Sequence, residues 1–339
     1  MHNHRKITPE RYPYLLGMIV FLLCILLFLG VSVGSTGFET LTSLLSDPTS
    51  NQIISMVRLP RSIGALLAGG LLGMTGAIAQ GLFRNPLADP YLLGSASGAS
   101  FFVALGLIFF GGSPFAGLFL IRVGLTGAAF MGAVCAVCLT LLLAGGVQNS
   151  LRLLLSGVIV AVIFGALSSL VALSSPEVLQ AMQAFLLGST SFVTWSGCLV
   201  MAFVLGVSLV VSFSMSRVLD GLTLGETTAE SLGLQLKSTR ICLIAVISLT
   251  TGSAVAQVGL IAFVGLVAPH LIRSLVRVNH ARLIFLSALA GAGLLLAADI
   301  LARLVIAPQE LPVGVLTAIL GGGYLFWLMY RGRRKGAFE

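Results

Sequence analysis

RLPRSIGALLAGGLLGMTGAIAQGLFRNPLADPYLLGSASGAS, residues 58–100, decides how the rest of the chain is read. Two arginines, Arg58 and Arg61, flank Leu59-Pro60 at the head of an apolar, glycine-rich run. That run is roughly two dozen residues long, enough for a helix to cross a bilayer. It ends at Asn85-Pro86-Leu87-Ala88-Asp89-Pro90, where two prolines forbid a continuous helix, because each lacks an N–H and crowds the preceding turn. A small-residue segment, Gly94 to Ser100, then leads into the next apolar run. Helices so poor in bulk approach one another closely or line a wide passage.

The remainder of the chain is of the same kind. It is 57% hydrophobic and only 9% charged, with a mean hydropathy of +1.07. A soluble domain carries about 25% charged residues, so this chain cannot cover a water-facing surface and reads as an all-α polytopic membrane protein. Forty glycines fit tight helix packing. The net charge of +8 does not indicate a nucleic-acid partner, because the basic residues stand at the ends of apolar runs, where they set orientation. The five cysteines all lie within apolar runs; Cys135 and Cys138 have no histidine or acidic neighbour and read as packing residues. The first run, Leu15 to about Gly34, is too long for a signal peptide core and reads as a retained helix.

Apolar runs fall near 15–34, 62–83, 92–111, 118–144, 153–173, 195–214, 239–272, 283–307 and 313–330. Nine crossings would place the basic N-terminal cluster (Arg5, Lys6, Arg11) opposite the basic tail (Arg331, Arg333, Arg334, Lys335). The block 239–272 is basic on both flanks and carries two places to turn, Thr250-Thr251-Gly252-Ser253 and Gln257-Val258-Gly259. Split there, it gives ten transmembrane helices with both termini cytoplasmic. Of the 19 basic residues only Arg58, Arg61, Arg122 and Arg303 then fall outside, as the positive-inside rule asks. The outer loops, near 35–57, 112–117, 174–194, 257 and 306–312, include two long enough for a short helix, with Pro176 to Met182 as one. Only one inner loop is substantial, 216–239, with two short amphipathic pieces about Gly225. Its leucines 219, 222, 224, 232, 234 and 236 call for a partner or a membrane-surface contact.

Asp299 and Arg303 are the ionisable residues within a crossing, four apart on one helix face, where they can pair. Arg303 has a second reading, projecting outward beside Arg58 and Arg61. An ion-coupled secondary carrier needs carboxylates or histidines deep in several helices, and an intramembrane hydrolase needs a nucleophile with a base or a set of metal ligands. Neither pattern is present: the four histidines (His2, His4, His270, His280) have no metal-pair spacing, and there is no Gly-x-x-x-x-Gly-Lys loop for ATP. No catalytic and no metal residues are assigned, and the driving energy must come from elsewhere.

RLPR (58–61), GAIAQGLFRNPLADPYLLG (76–94), LTLGETTAESLG (222–233), GLIAFVGLVAPHLIR (259–273), ADILAR (298–303) and ELPVGVLTAILGG (310–322) resemble, in order, the FecCD-type (BtuC-like) permeases. These are the membrane subunits of ABC importers for iron(III)-siderophores, haem and cobalamin. The resemblance implies a type II ABC importer permease fold, with residues 1–339 forming one transmembrane domain in a bacterial cytoplasmic (inner) membrane. The implied partners are a second permease copy or sibling, two ABC ATPase subunits that hold the ATP and Mg, a periplasmic or lipid-anchored binding protein, and membrane lipid. The chain itself would hold no cofactor. The resemblance further assigns Arg58, Arg61 and Arg303 to binding-protein docking, and Asn85 and Leu87, with Ser150 and Leu154, to a cytoplasmic gate. Leu222, Leu224, Gly225, Glu226, Ala229, Leu232 and Gly233 would couple to the ATPase. The expected cargo is an iron chelate, siderophore or haem, with cobalamin as the alternative.

Overall fold

The computed structural model describes residues 12–34, 37–38, 48–110 and 119–333. The basic N-terminal cluster, Arg334, Lys335 and the expected loop at 112–117 lie outside these residues. Helices account for nearly all of the rest. In chain order they are α1 (Tyr12–Ser32), α2 (Pro48–Ile53), α3 (Leu59–Leu82), α4 (Ser95–Phe110), α5 (Phe119–Ala144), α6 (Ser150–Ala172) and α7 (Pro176–Leu187). The series continues with α8 (Trp195–Leu222), α9 (Glu226–Ser231), α10 (Leu236–Val258), α11 (Val264–Leu275), α12 (His280–Leu304) and α13 (Val313–Arg333). A wide π-type turn, Ile54–Arg58, joins α2 to α3. A two-residue ribbon pairs Val33–Gly34 with Gly37–Phe38.

Among the described residues seven helices are long and apolar enough to cross a membrane, and α4, α11 and α13 are shorter apolar helices. The chain is therefore a multi-pass membrane protein. The quoted stretch supplies its centre, for α3 is the most enclosed of the long helices. It lies against α12 at backbone distance: a Cβ on Gly73 would stand 2.2 Å from the Ser287 carbonyl oxygen, and one on Gly69 2.3 Å from that of Gly291. On another side a Cβ on Gly76 would stand 1.6 Å from the carbonyl oxygen of Gly265 in α11. Without side-chain bulk, close approach gives these helices dispersion contacts that lipid cannot match. By contrast, α1, α6 and α8 turn most of their apolar side chains outward.

Three expectations are corrected. The block 239–272 does divide, at residues 259–263 beside the expected turn Gln257-Val258-Gly259, whereas the other expected place, Thr250–Ser253, stays within α10. There the Thr250 and Thr251 hydroxyls donate to carbonyl oxygens one turn back, at Val246 and Ile247, so polar side chains are satisfied without a break. The resulting α11 has 12 residues, about 18 Å of helix, shorter than a bilayer core. Second, the helix begun at Trp195 does not stop near 214 but runs to Leu222, because Ser212, Ser216, Leu219 and Leu222 continue its inward face. Third, residues 216–239 consequently hold one short helix of their own, α9, rather than two. Of the six leucines expected to be exposed, Leu219, Leu222 and Leu236 are buried and Leu234 packs against the same core. Leu224 and Leu232 remain 64% and 62% exposed.

Candidate functional site

Functional residues collect at the two ends of the bundle. At the end where α3 stops, Phe83 to Gly94 form the proline-bearing break. Asn85 and Asp89 brace it by accepting backbone N–H bonds two residues on, from Leu87 (2.9 Å) and Tyr91 (2.8 Å). Burial holds the Asp89 carboxyl above the usual range against the opposing pull of the Tyr91 N–H. Asn85 and Leu87 are exposed. The break is seated on α6 at its far side, where Leu92 and Gly94 approach Gly157 and Val160. Ser150 opens α6 behind an Asn149 cap that accepts from the Arg152 N–H, and Leu154, one turn on, packs partly into the core. Asn85, Leu87, Ser150 and Leu154 thus sit on two segments that meet.

The α9 segment touches the break directly through Glu226 and Arg84 and is linked to the turn before α6 through Arg240. Gly225 (φ 107°) and Gly233 (φ 76°) bracket it in backbone conformations that favour glycine. Ala229 is buried beneath α9, while Leu224 and Leu232 point away. Glu226, first residue of α9, lies 2.7 Å from Arg240 of α10 and 3.5 Å from Arg84 in the break. Arg240 in turn donates to the carbonyl oxygens of Val147 (3.3 Å) and Gln148 (2.7 Å), in the turn between α5 and α6. Close by, Asp220 accepts from both the backbone N–H and the ring Nδ1 of His280.

At the opposite end lies a buried charge cluster. Asp299 is wholly buried and contacts Arg61 (2.9 Å), Arg303 and the Thr190 hydroxyl. Arg61 also binds Glu310 (2.8 Å), which Ser191 caps with a hydroxyl hydrogen bond (3.1 Å). Arg303, 1% exposed, donates through Nη1 to the carbonyl oxygens of Gly30 and Val33 and through Nη2 to the Ser62 hydroxyl, while its Nε finds no acceptor. Arg58 is buried as well and reaches the Val31 carbonyl oxygen. The three arginines expected at the outer mouth are engaged within the chain, and Arg303 makes the expected pair with Asp299. A carboxylate so placed joins α3, α12 and the turn before α8.

Thr190, Ser191, Glu310, Arg84, Arg240, Asp220 and His280 are members of these clusters that sequence reasoning left unassigned. Glu310 stood within the ELPVGV motif, and Arg240 carried only a topological signal.

The profile of the FecCD transport family matches residues 18–331. The chain is 37% identical over 326 residues to the hemin transport system permease protein HmuU of Yersinia pestis, covering 95% of this chain and 96% of that one. It is 37% identical to the iron(3+)-hydroxamate import system permease protein FhuB of Bacillus subtilis, over 92% of this chain and 82% of the relative. A solved inward-facing structure of a metal-chelate type ABC transporter superposes with a TM-score of 0.84 at 32% identity, covering 94% of this chain and 99% of that chain.

Proposed function

The chain belongs to the FecCD transport family, and from that membership we propose that it is the permease subunit of an ATP-driven importer that carries an iron chelate, siderophore or haem, into the cytoplasm. The ten apolar helices among its described residues, the three shorter ones included, make ten crossings with both termini cytoplasmic, in a bacterial inner membrane. A second copy or a sibling subunit completes the passage. Two ABC ATPases bind and hydrolyse MgATP below it, a binding protein delivers cargo above, and this chain holds no cofactor.

The observation that carries this reading is the α9 segment. Two large apolar side chains, Leu224 and Leu232, stand out from a polar connection at the end that bears the excess of basic residues. Exposed apolar side chains of that size in a short connector favour a protein partner, and a relative of nearly full coverage is a transport permease. Asn85, Leu87, Ser150 and Leu154, close by, serve as the gate that this partner moves. Docking of the binding protein falls on the opposite end. There the half-open Arg61–Glu310 pair is the point at which an incoming carboxylate can compete for an arginine, and Arg58 and Arg303 support it from beneath.

The test is uptake of haemin, a ferric hydroxamate and cobalamin into proteoliposomes holding the permease with its ATPase and binding protein. Iron-chelate uptake that needs internal ATP and ignores a collapsed proton gradient is the expected result. Uptake that follows the proton gradient without ATP would sink the reading, and uptake of cobalamin alone would move the cargo to the alternative.

A further inference from the structure

Arg240 has no place in the assignments above, yet it is 4% exposed and carries a full charge. Its Nη1 donates to two carbonyl oxygens of the α5–α6 turn, Val147 and Gln148. Its Nε and Nη2 have no hydrogen-bond acceptor, and Glu226 stands 2.7 Å from Nη2 as an ion-pair partner out of hydrogen-bonding alignment. A buried guanidinium costs several kcal/mol unless a carboxylate balances it. Among the described residues Glu226 is the carboxylate that does so. Arg240 thereby fastens the first residue of α9 to the turn immediately before Asn149 and Ser150. Glu226 also reaches Arg84, the residue before Asn85.

Both segments so fastened are built to move as units. Glycines with positive φ, Gly225 and Gly233, bracket α9, and a Cβ would meet nothing within 4 Å at Gly233. Gly145 and Gly146, at φ 68° and 115° and equally open, lead into the α5–α6 turn. Backbone that turns through such residues bends without repacking a core. Between the two segments stands Arg240 on α10, itself buried beside Thr239, Leu243 and Ile244, and Glu226 reaches it from α9.

We propose that Glu226 and Arg240 form a relay that delivers displacement of α9 to the start of α6 and, through Arg84, to the Asn85 break. Arg240 is a positioning residue in this scheme: it touches neither cargo nor ATPase. The proposal rests on the coupling role given to α9 above. The mechanical logic is that α9 alone, a helix of six residues between glycines, would swing without moving anything. Tied to the carbonyl oxygens one and two residues before the Asn149 cap, it carries the α6 N-terminus with it.

The experiment compares wild type, Arg240→Gln and Arg240→Lys in proteoliposomes with ATPase and binding protein, reading ATP hydrolysis and haemin import together. With Arg240→Gln the ATPase should stay bound and hydrolyse ATP, because position 240 is inaccessible to it, while import per ATP falls about tenfold, the size of a typical coupling between sites. Arg240→Lys keeps the charge but not the fork of donors and should fall between. Import per ATP at the wild-type level in Arg240→Gln overturns the relay. If that variant does not fold, Arg84→Gln at a half-exposed position takes its place, and unchanged coupling there overturns it equally. An ATPase that stays bound to and coupled with the Leu224→Asp, Leu232→Asp variant instead overturns the reading of α9 as the coupling element, so the two failures are distinguishable.

Discussion

Asp299 serves two arginines and a threonine from one carboxylate, and it does so without contact with water. Removing that charge strands Arg303 and leaves Arg61 with Glu310 alone. Asp299→Asn should cost about 3–5 kcal/mol, the range for breaking a buried pair from one side, and should lower the thermal midpoint in detergent sharply. Glu310→Gln, at a carboxylate 28% exposed, should cost about 0–1 kcal/mol. Equal effects would remove the distinction drawn between them. Asp89, in the break and outside the spanning helices, behaves oppositely. Burial raises its folded-state value above 3.8, so the native chain binds the proton more tightly than the unfolded one. Its contribution is complete below about 3.8 and is lost as pH rises through the folded value. Asp89→Asn keeps an acceptor for the Tyr91 N–H and should be as stable or more stable at neutral pH, with the pH dependence in that window gone. A variant less stable at neutral pH would contradict the account. The Asp299–Arg303 pair was legible from a spacing of four. What no local pattern announces is that Arg61 finds the same carboxylate 238 residues away. Counting arginines at helix ends registers them as interfacial whether they face water or an acid.

Elements are harder to bound than to find. The apolar runs locate the long helices, but polarity alone misplaces their ends. SFSMSRVLDGL, residues 212–222, reads as departure from the membrane, yet Ser212, Ser216, Leu219 and Leu222 keep one face inward and the helix continues. Threonines at 250 and 251 read as a turn, yet they bond to their own helix. The correction sharpens a test of the coupling segment. Leu224→Asp with Leu232→Asp changes only exposed positions, so the permease should fold normally and lose its ATPase on copurification. Leu222→Asp buries an unpaired charge beneath α9 and should abolish folding instead. An ATPase that remains bound to the first variant would take α9 out of the interface.

For the whole molecule, membership in the family and a multi-pass helical bundle were legible from six ordered motifs and the charge-poor composition. The orientation rests on the distribution of basic residues, and labelling tests it. A cysteine at Thr227, exposed on α9, should react with an impermeant thiol reagent only from the cytoplasmic side, and one at Leu179, exposed on α7, only from outside. Both labelling from one side would overturn the arrangement. Which cargo passes was not legible, because charge-poor apolar runs rich in small residues carry no group that singles out a ligand.

The cluster around Asp299 has a consequence for how the chain is made. Arg61 emerges from the ribosome long before Asp299 and Glu310, the acids that neutralise it, which follow 238 and 249 residues later. Through most of synthesis α3 waits in the bilayer with its guanidinium unanswered, held near the headgroups or shielded by the insertion machinery. Only when α12 arrives does that helix settle to its final depth. A polypeptide cut short before residue 299 therefore lacks both acids that pair with Arg61 at its centre.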